Sequence, residues 1–495
     1  MNKLTIRLLV AFLFVTAFFS ACNELDDNYS TNPSHRLAFS VDTLTFDTVF
    51  TTIGSATRQF MIYNPNSEPV NVESIMLAGA GSSGFRINVD GRRGDSFSDV
   101  GILAKDSMYV FVEVTVDPNE KYQPLQVIDS VMFTLNGNRQ RVVLEAFGQD
   151  VYLYKGGKTI TKDTTLTADR PYLVYDSLVV NPGVTVNIEE GATFYMHDRA
   201  NLVVHGTLKV NGSQDKPVTF RGDRLDFILN DILPYDRAPG QWGGIFFASE
   251  SYNNTMDYVY IRNGQSGMTF LPSSPDRPKL KITNSQITNM DGNLLTAINC
   301  QIELINSELS NATGTISALM GGKYHFIHCT LANYMTYKSR NDSLPQVLVL
   351  SNALPEKQTA PLNVTFDNCI IDGNRDAGSK PLTGEILLSP EENIAFEYQF
   401  NHCVIKTKSE ENPGAAFSNV LFVSKSPAYR MLGGEKNKYQ FDFRLDSATT
   451  VGVGKADLLI SRQYPEDRYG VSRIDSPDGP TIGAYEFVAA EEEEE

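Results

Sequence analysis

The sequence predicts an all-β protein in which an N-terminal β-sandwich is followed by a solenoid of short β-coils. Its 495 residues exceed what one compact core usually takes, which favours two domains or an elongated solenoid. Its 36 Gly, 22 Tyr and 28 Phe favour strands and turns. Short apolar runs alternate with turn residues in the first third of the chain, and a six-residue template recurs further along it.

The charge balance limits the kinds of partner. Lys and Arg total 42 whereas Asp and Glu total 59, which gives a formal net charge of −17. This surplus of anions argues against a nucleic-acid partner, because binding to phosphates needs surplus cations. Hydrophobic residues make up 41% of the chain, which is enough for a core and excludes wholesale disorder.

Residues 1–21 have the pattern of a secretory signal. Lys3 and Arg7 precede an apolar run from Leu8 to Phe19, and the small residues Ser20 and Ala21 follow it. The run is shorter than the roughly 20 residues that span a membrane. We therefore expect cleavage before Cys22; an ordinary signal followed by an incidental cysteine is the alternative.

Cys22 and its flanks resemble the lipobox of bacterial lipoproteins, with Phe19 where that family usually has Leu. The resemblance implies that Cys22 carries acyl chains such as palmitate and anchors the protein in a membrane. The acidic residues between 23 and 27 resemble the surface-export signal of some Gram-negative outer-membrane lipoproteins. We therefore expect an outer-membrane location facing the exterior, with residues 22–35 as an acidic flexible tether or, alternatively, a plain solvated linker.

Residues 36–150 have the pattern of a β-sandwich. The apolar runs are Gln59–Tyr63, Val70–Leu77, Phe85–Val89, Met108–Val116, Val127–Leu135 and Arg141–Phe147. Val110, Val112 and Val114 share one face of their strand, and Asn136-Gly137 predicts a type I′ hairpin turn. About seven such strands suit an immunoglobulin-like fold. The segment resembles the Ig-like modules of the abnormal-spindle/Hydin type, which implies a binding or spacer role.

A repeat defines the second domain. Five segments superpose without gaps: Ile282–Ile287, Leu304–Leu309, Phe326–Leu331, Phe366–Ile371 and Phe400–Ile405. Their fourth position is Ser or Cys at 285, 307, 329, 369 and 403, with spacings of 22, 22, 40 and 34. Their third position is Asn284, Asn306, His328, Asn368 or His402, which are residue types that tolerate the left-handed conformation of a sharp bend. The spacings predict a solenoid with loop insertions, whose coils stack about 4.8 Å apart.

Three further stretches resemble bacterial proteins of the pectin-lyase-like class. Pro182-Gly183-Val184 and Gly206-Thr207-Leu208 lie in a stretch, 172–222, that resembles the opening coils of that class. Residues 241–264 continue the pattern, and 467–487 resemble its closing signature. The resemblance implies a right-handed parallel β-helix over residues 151–487, followed by an acidic tail at 488–495. It leaves the activity open, because this architecture is found in lyases, hydrolases, adhesins and assembly factors.

Two rows of equivalent positions test for a catalytic carboxylate pair. The rows are Thr283, Ile305, Ile327, Asp367, Asn401 and Thr288, Ser310, Ala332, Asp372, Lys406. Each row holds one acid, whereas glycoside hydrolysis needs two carboxylates about 5–9.5 Å apart. The six histidines also have structural interpretations, including His197 and His205, which have no partner at metal-ligand spacing. We therefore expect no catalytic residue on these faces.

Cofactor and disulfide sites are also not indicated. Asp291-Gly292-Asn293 and Asp372-Gly373-Asn374 could ligate Ca²⁺, but Asp-Gly-Asn is foremost a turn sequence, so we expect no cofactor and no metal. The cysteines besides Cys22 are Cys300, Cys329, Cys369 and Cys403. A disulfide between adjacent coils is sterically possible, but Ser fills the same position in two repeats, so we favour buried free thiols.

One insertion is the candidate binding loop. About 20 residues interrupt the coil pattern after residue 222, and they include the only Trp of the chain. The candidate binding residues are Arg224, Asp226, Asp231, Tyr235, Asp236, Arg237 and Trp242. Aromatic and charged side chains of this kind stack on sugars or seat protein partners. The alternative is a lid over a coil, with Trp242 as its core anchor.

These observations support two hypotheses for function. The first is a lipid-anchored, non-catalytic binding or scaffold protein, either an accessory subunit of an outer-membrane complex or a protein that captures a glycan or a protein. The second is a polysaccharide-active lyase or glycoside hydrolase of the β-helix class, whose catalytic residues come from loops.

Overall fold

The computed structural model describes residues 29–80, 82–118, 125–226, 234–336, 345–378, 382–408, 414–433 and 439–489. The signal segment, Cys22 and Asp231 therefore lie outside the described residues. Two compact units are present, one ending at Asp150 and the other beginning at Val151. The first unit is a β-sandwich and the second is a parallel β-helix, which confirms the predicted fold class.

The described residues of the sandwich form ten strands in two sheets. In chain order they are β1 (Ala38–Phe39), β2 (Thr43–Phe50), β3 (Arg58–Tyr63), β4 (Val70–Leu77), β5 (Phe85–Val89), β6 (Arg92–Gly94), β7 (Ser96–Ile102), β8 (Ser107–Val114), β9 (Leu125–Leu135) and β10 (Asn138–Gln149). One sheet has the order β1-β3-β8-β5-β6 and the other β2-β10-β9-β4-β7. Alternate side chains of the longer strands, such as Val110, Val112 and Val114 of β8, are buried between the sheets, as the period of two predicts.

The turn chemistry of the sandwich follows its sequence. Asn136 and Gly137 have φ values of 48° and 78° and join antiparallel β9 and β10, which confirms the type I′ hairpin. Residues 29–35, which we expected in the flexible tether, are instead bonded to the sandwich. The Asn136 side chain donates to the carbonyl of Ser30 at 3.0 Å, and Ser30 N–H donates to the carbonyl of Pro69 at 2.8 Å.

The β-helix is built from three parallel sheets, called faces 1, 2 and 3 in the order in which each coil visits them. Face 1 contains β11 (Tyr152–Tyr154), β14 (Tyr172–Val174), β17 (Thr193–Met196), β20 (Val218–Gly222), β23 (Val259–Arg262), β26 (Gln286–Met290), β29 (Glu308–Ala312), β32 (Thr330–Asn333), β35 (Ile370–Gly373), β38 (Val404–Lys406) and β40 (Leu421–Val423). Face 2 contains β12 (Lys158–Ile160), β15 (Ser177–Val180), β18 (Asn201–Val204), β21 (Gly244–Phe247), β24 (Met268–Phe270), β27 (Leu295–Ile298), β30 (Ser317–Met320), β33 (Leu348–Ser351) and β36 (Ile386–Ser389). Face 3 contains β13 (Thr164–Leu166), β16 (Thr185–Ile188), β19 (Thr207–Asn211), β22 (Asn254–Asp257), β25 (Pro278–Thr283), β28 (Gln301–Ile305), β31 (Gly322–Ile327), β34 (Leu362–Asp367), β37 (Phe396–Asn401) and β39 (Phe417–Ser418).

The interior of the β-helix is held together by stacks of like side chains. The rings of Phe326, Phe366 and Phe400 lie one above another, with centroids 4.7 and 4.9 Å apart. Phe194 and Phe220 stack in the same way at 4.6 Å. These separations match the spacing between neighbouring strands, so each coil places its side chain directly over its counterpart.

The bends between face 3 and face 1 confirm the predicted left-handed corners. The corner residues are Asn284, Asn306, His328, Asn368 and His402, and their φ values lie between 47° and 53°. The Ser or Cys that follows each corner residue points inward; Ser307 Oγ, for example, donates to the carbonyl of Ile305 at 2.7 Å. Cys300, Cys329, Cys369 and Cys403 are buried free thiols, which confirms the interpretation that we favoured.

A C-terminal segment, residues 457–486, lies along these corners. It begins with α1 (Leu458–Ser461) and follows the hairpin of β41 (Tyr429–Leu432) and β42 (Phe441–Leu445). Asn306 donates to the carbonyl of Glu466 at 2.9 Å and accepts from the Arg473 guanidinium at 3.2 Å. His328 Nε2 lies 3.0 Å from Ser461 Oγ. The corner side chains therefore serve as the docking partners of this segment.

Helix is scarce in the part of the chain that the structure describes. Besides α1 there are two 3₁₀ turns, at Tyr235–Arg237 and Pro355–Lys357. None of these helices has the length and apolar character needed to cross a membrane.

Candidate functional site

The candidate binding loop leaves face 1 after Gly222 and rejoins the β-helix on face 2 at Gly244. Its described parts are residues 223–226 and 234–243. Tyr235 N–H donates to the carbonyl of Asp226 at 2.9 Å, and the Gln241 amide donates to the carbonyl of Ala238 at 2.7 Å. The two described parts are thus joined to each other.

A ladder of asparagines fixes the loop to the edge of face 1. Asn263 directly follows β23, and Asn289 is the fourth residue of β26; both have a positive φ, of 69° and 63°. Asn263 donates to the carbonyl of Asp236 at 2.8 Å, and Asn289 donates to the carbonyl of Arg237 at 2.8 Å. Asn289 also donates to the Asn263 side-chain oxygen at 2.8 Å. The loop is therefore held in a defined position on the coils.

Trp242 is a core residue and cannot contact a ligand. Its side chain is 0% exposed, and its indole N–H donates to the carbonyl of Arg262 at 2.8 Å. A parallel bridge pairs Trp242 with Gly264 of the next coil. This corrects its inclusion among the binding residues and agrees with the alternative of a core anchor.

Arg224, Asp226 and Tyr235 form a unit at the surface of the loop. The Arg224 guanidinium donates to both carboxylate oxygens of Asp226, at 2.7 and 2.5 Å, and lies 4.0 Å from the centre of the Tyr235 ring. The hydrogen bonds to Asp226 raise the pKa of Arg224. This geometry combines a bidentate ion pair with a cation–π contact, so all three side chains hold one another in place.

Asp236 bridges two arginines of face 1. Its carboxylate lies 2.9 Å from the Arg221 guanidinium and 3.1 Å from that of Arg262. The Arg221 guanidinium also lies 5.7 Å from the centre of the Tyr195 ring. Burial lowers the pKa of Arg221 and raises that of Tyr195. Equivalent positions of three adjacent coils, 195, 221 and 262, thus contribute to one polar and aromatic surface.

His197 belongs to the same surface, although the sequence analysis gave it only a structural role. His197 Nδ1 lies 2.6 Å from the Asp223 carboxylate, and its ring stacks on Tyr175 with the centroids 4.0 Å apart. Its side chain is 40% exposed. Tyr175, His197 and Asp223 each directly follow a strand of face 1, and the equal offset from their strands is the signal that could have identified them.

We call this surface the Arg–Tyr cluster. It consists of Tyr175, Tyr195, His197, Arg221, Asp223, Arg224, Asp226, Tyr235, Asp236 and Arg262. The cluster contains four of the seven candidate residues. Arg237 lies apart from it, because both terminal nitrogens of its guanidinium face the amide oxygen of Gln440 at 2.8 and 2.9 Å.

The two sequences considered for Ca²⁺ have other partners. The Asp372 carboxylate is buried and accepts hydrogen bonds from Tyr334 at 2.6 Å and Tyr429 at 3.0 Å, and burial raises its pKa. Asp291 accepts from the Thr313 hydroxyl at 3.2 Å. Among the described residues, no group of three or more His, Cys, Asp or Glu side chains is placed to hold a metal.

Two further histidines form pairs with carboxylates outside the cluster. His205 Nδ1 lies 2.7 Å from Glu250, and His325 Nε2 lies 2.6 Å from Asp367. Asp367 also accepts from the Asn401 amide at 2.6 Å. The register places Asp367 between Ile327 and Asn401, as expected from the alignment of the repeats.

Comparisons with known proteins give distant likenesses. No family model matches the sequence. A stretch of 124 residues is 32% identical to the Drosophila melanogaster protein bark beetle and spans 24% of this chain but 4% of that protein. The catalytic domain of a GH87 α-1,3-glucanase in complex with nigerose is 11% identical, with a TM-score of 0.26, over 74% of this chain and 87% of the other. The ASH/PapD-like domain of human CEP192 is 12% identical, with a TM-score of 0.17, over 26% of this chain and 96% of the other.

Proposed function

We propose that the chain is a non-catalytic, lipid-anchored binding or scaffold protein, and that the Arg–Tyr cluster is the surface on which its partner docks. The observation that carries this proposal is that ion pairs and cation–π contacts hold the charged side chains of the cluster in place on the stacked coils of the β-helix. A surface of this kind loses little side-chain freedom when a partner binds, which favours affinity.

The chemistry of the cluster fits a glycan or a protein partner. Tyr and Arg are the residue types that most often dominate binding energy at interfaces. Tyrosine rings also stack on the apolar faces of sugars, and paired Arg and Asp groups bind hydroxyls. The partner is an outer-membrane protein complex, of which the chain is an accessory subunit, or a glycan or protein that the chain captures.

The location is part of the same proposal. Acyl chains on Cys22 hold the protein at the outer membrane, and the acidic residues that follow direct it to the exterior. The N-terminal sandwich, as an Ig-like module, acts as a spacer or a second binding unit.

Three substitutions in the cluster test the binding surface. We expect Arg224→Ala, Tyr235→Ala and Asp236→Ala each to weaken capture of the partner about tenfold or more, because each removes a side chain that orders its neighbours. The measurement is a quantitative pull-down from detergent-solubilised membranes, with melting temperatures measured in parallel. Arg199→Ala, which removes an exposed arginine outside the cluster, is the matched control and should retain the partner.

If all three folded variants retain every partner, the cluster is not the docking surface. The loop is then a lid over the coils. The burial of Trp242 already agrees with this alternative, in which Trp242 is the core anchor of the lid.

One observation favours a second function, that of a polysaccharide-active enzyme. In the His197–Asp223 pair a carboxylate orients an exposed imidazole, which is the arrangement of a general base. This function predicts that the purified protein shortens glycans or forms unsaturated products from uronic polymers, and that His197→Ala abolishes the reaction. Incubation with acidic and neutral polysaccharides, followed by product analysis, decides between the two functions.

A further inference from the structure

We propose that the sandwich carries a second binding site, a cleft on the outer face of the sheet β1-β3-β8-β5-β6 that takes one uncharged sugar ring. The cleft has a volume of about 470 Å³. Its lining residues are Thr57, Arg86, Ile87, Asn88, Arg93, Gly94, Asp95, Phe111 and Glu113. This volume lies within the range of small-molecule sites.

The strand register brings the lining together. Asn88 of β5 pairs with Phe111 of β8 on one side and with Arg93 of β6 on the other, and Arg86 pairs with Glu113. Because alternate side chains of a strand point to the same face, Phe111 and Glu113 both lie on the outer face of β8. The partly exposed Phe111 ring therefore forms an apolar surface between polar walls, which is how proteins bind the apolar face of a pyranose.

The charges of the lining favour an uncharged ligand. Two guanidiniums, of Arg86 and Arg93, are balanced by two carboxylates, of Asp95 and Glu113. Arg86 and Glu113 do not form an ion pair with each other; Arg86 donates to the Thr115 hydroxyl at 2.8 Å and Glu113 accepts from the Thr57 hydroxyl at 2.8 Å. Each retains hydrogen-bonding capacity that the hydroxyls of a sugar can use.

Asn88 supplies an independent observation. Its side-chain oxygen is shielded from solvent and accepts no hydrogen bond from the described residues. A buried acceptor without a donor is unfavourable, so a ligand that brings a hydroxyl donor gains affinity there. The exposed Arg93 side chain lies directly across from Asn88 and makes no hydrogen bond with the described residues, so it is free to move aside and admit that hydroxyl.

The test uses the full mature chain and saturation-transfer NMR with maltotriose, cellotriose and N-acetylchitotriose as probes. We expect magnetisation transfer to at least one of these neutral trisaccharides. Phe111→Ala and Asn88→Ala should each reduce the transfer at least tenfold, as should Glu113→Gln, which changes little of the packing. Tyr63→Ala, which removes an exposed aromatic side chain of the same sheet outside the cleft, should leave the transfer unchanged.

Two charged probes and one distant variant complete the test. Stronger binding of trigalacturonate or of an acidic peptide than of every neutral trisaccharide would overturn the inference, as would absence of transfer to all three neutral probes. Loss of binding in Asp236→Ala together with full binding in Phe111→Ala would place the sugar on the β-helix and not in the sandwich.

Discussion

Asparagine does two tasks at the corners of the β-helix. Its backbone accepts the left-handed conformation, and at Asn306 and Asn368 its side chain also bonds to the C-terminal segment. Asn368, for example, donates to the carbonyl of Asp457 at 3.3 Å, and its side-chain oxygen accepts from Asp457 N–H at 2.7 Å. A glycine at this position would satisfy the first requirement alone. This explains why the corner residues are Asn or His, which carry polar side chains.

Replacement of a corner residue tests both tasks. We expect Asn306→Val to lower the free energy of unfolding by about 1–3 kcal/mol, because a β-branched residue resists a positive φ. The measurement is the melting temperature by circular dichroism. Asn306→Gly is the matched variant, since it accepts the backbone conformation and loses the side-chain bonds to Arg473, Glu466 and Asn284. An unchanged melting temperature in the valine variant would contradict the assigned strain at this corner.

Lys279 is an unusual buried residue of the β-helix. Its side chain is 0% exposed, and its ammonium donates to the carbonyl of Ala248 at 2.7 Å. Burial lowers the pKa of Lys279 from 10.5 to about 8. Between these two pH values the unfolded chain binds a proton on Lys279 that the folded chain does not bind. Stability therefore rises with pH across this window, by about 3 kcal/mol in total.

We expect Lys279→Met to melt at a higher temperature than the natural protein at pH 7, because the methionine has no charge to desolvate. The gain should shrink as the pH rises from 8 to 10.5, because the folded natural protein then holds a neutral lysine and no longer keeps a buried charge. Thermal melts at pH 7, 9 and 10.5 measure this. Lys281→Met, at a half-exposed neighbour, serves as the control, and a gain that does not depend on pH would contradict the prediction.

Residue-scale prediction from the sequence was good for the corners between face 3 and face 1. It missed the bends near the ends of β26 and β29, where Asn289 and Asn311 have φ values of 63° and 57°. The corner residues were recognisable because they recur at a fixed position of an aligned template. The asparagines at 289, 311 and 333 each follow a corner residue by five positions, so the same alignment contains their signal. The burial of Arg473 against the coils could not be predicted from the sequence. Its partners are distant in sequence, and an arginine is normally expected at the surface.

At the scale of elements, strands with regular alternation were predicted closely, whereas β1, β2, β6 and β7 were not. β6 is three residues long, and two of them are arginines, so it has no apolar pattern to recognise. The candidate loop was located correctly by the interruption that it makes in the coil pattern. The Arg–Tyr cluster was predicted only in part, because Arg221, Arg262 and His197 join it through the stacking of coils and not through proximity in sequence.

The loop and its anchor should respond differently to substitution. We expect Trp242→Ala to lower the free energy of unfolding by about 3–5 kcal/mol, because it leaves a large cavity in the core. Arg224→Ala, at the surface of the same loop, should leave the melting temperature nearly unchanged. Denaturant unfolding of both variants checks this contrast, and equal destabilisation would show that the loop surface also contributes to the core.

At the scale of the whole molecule, the sequence was sufficient for the two-part architecture, since repeats and alternation are properties of long stretches. The fold alone does not determine the activity, because proteins with the same fold differ in the residues of their binding or catalytic sites. The proposed lipid anchor depends on the N-terminal residues alone and can be tested without reference to either unit.

We expect Cys22→Ser to remain unacylated and to leave the membrane fraction, because the acyl chains are the proposed apolar anchor. Fractionation of cells and sedimentation in high salt measure this. The folded units should be unaffected, so melting curves of the natural and substituted proteins should coincide. A variant that still sediments wholly with outer membranes would show that a protein partner, and not lipid, retains the chain.

The position of the C-terminal segment has a consequence for the order of assembly. The bond from Arg473 to Asn306 spans 167 residues of sequence, and the contact of Tyr485 with Glu308 spans 177. The residues of the central coils are therefore synthesised well before those of the C-terminal segment that packs against them. Local stacking can begin early, but closure over the corners must wait for a slow, non-local step. Until then the corner side chains lack their bonds to the C-terminal segment, and we expect this interval to be when the chain is most vulnerable to proteases and to mispairing with other chains.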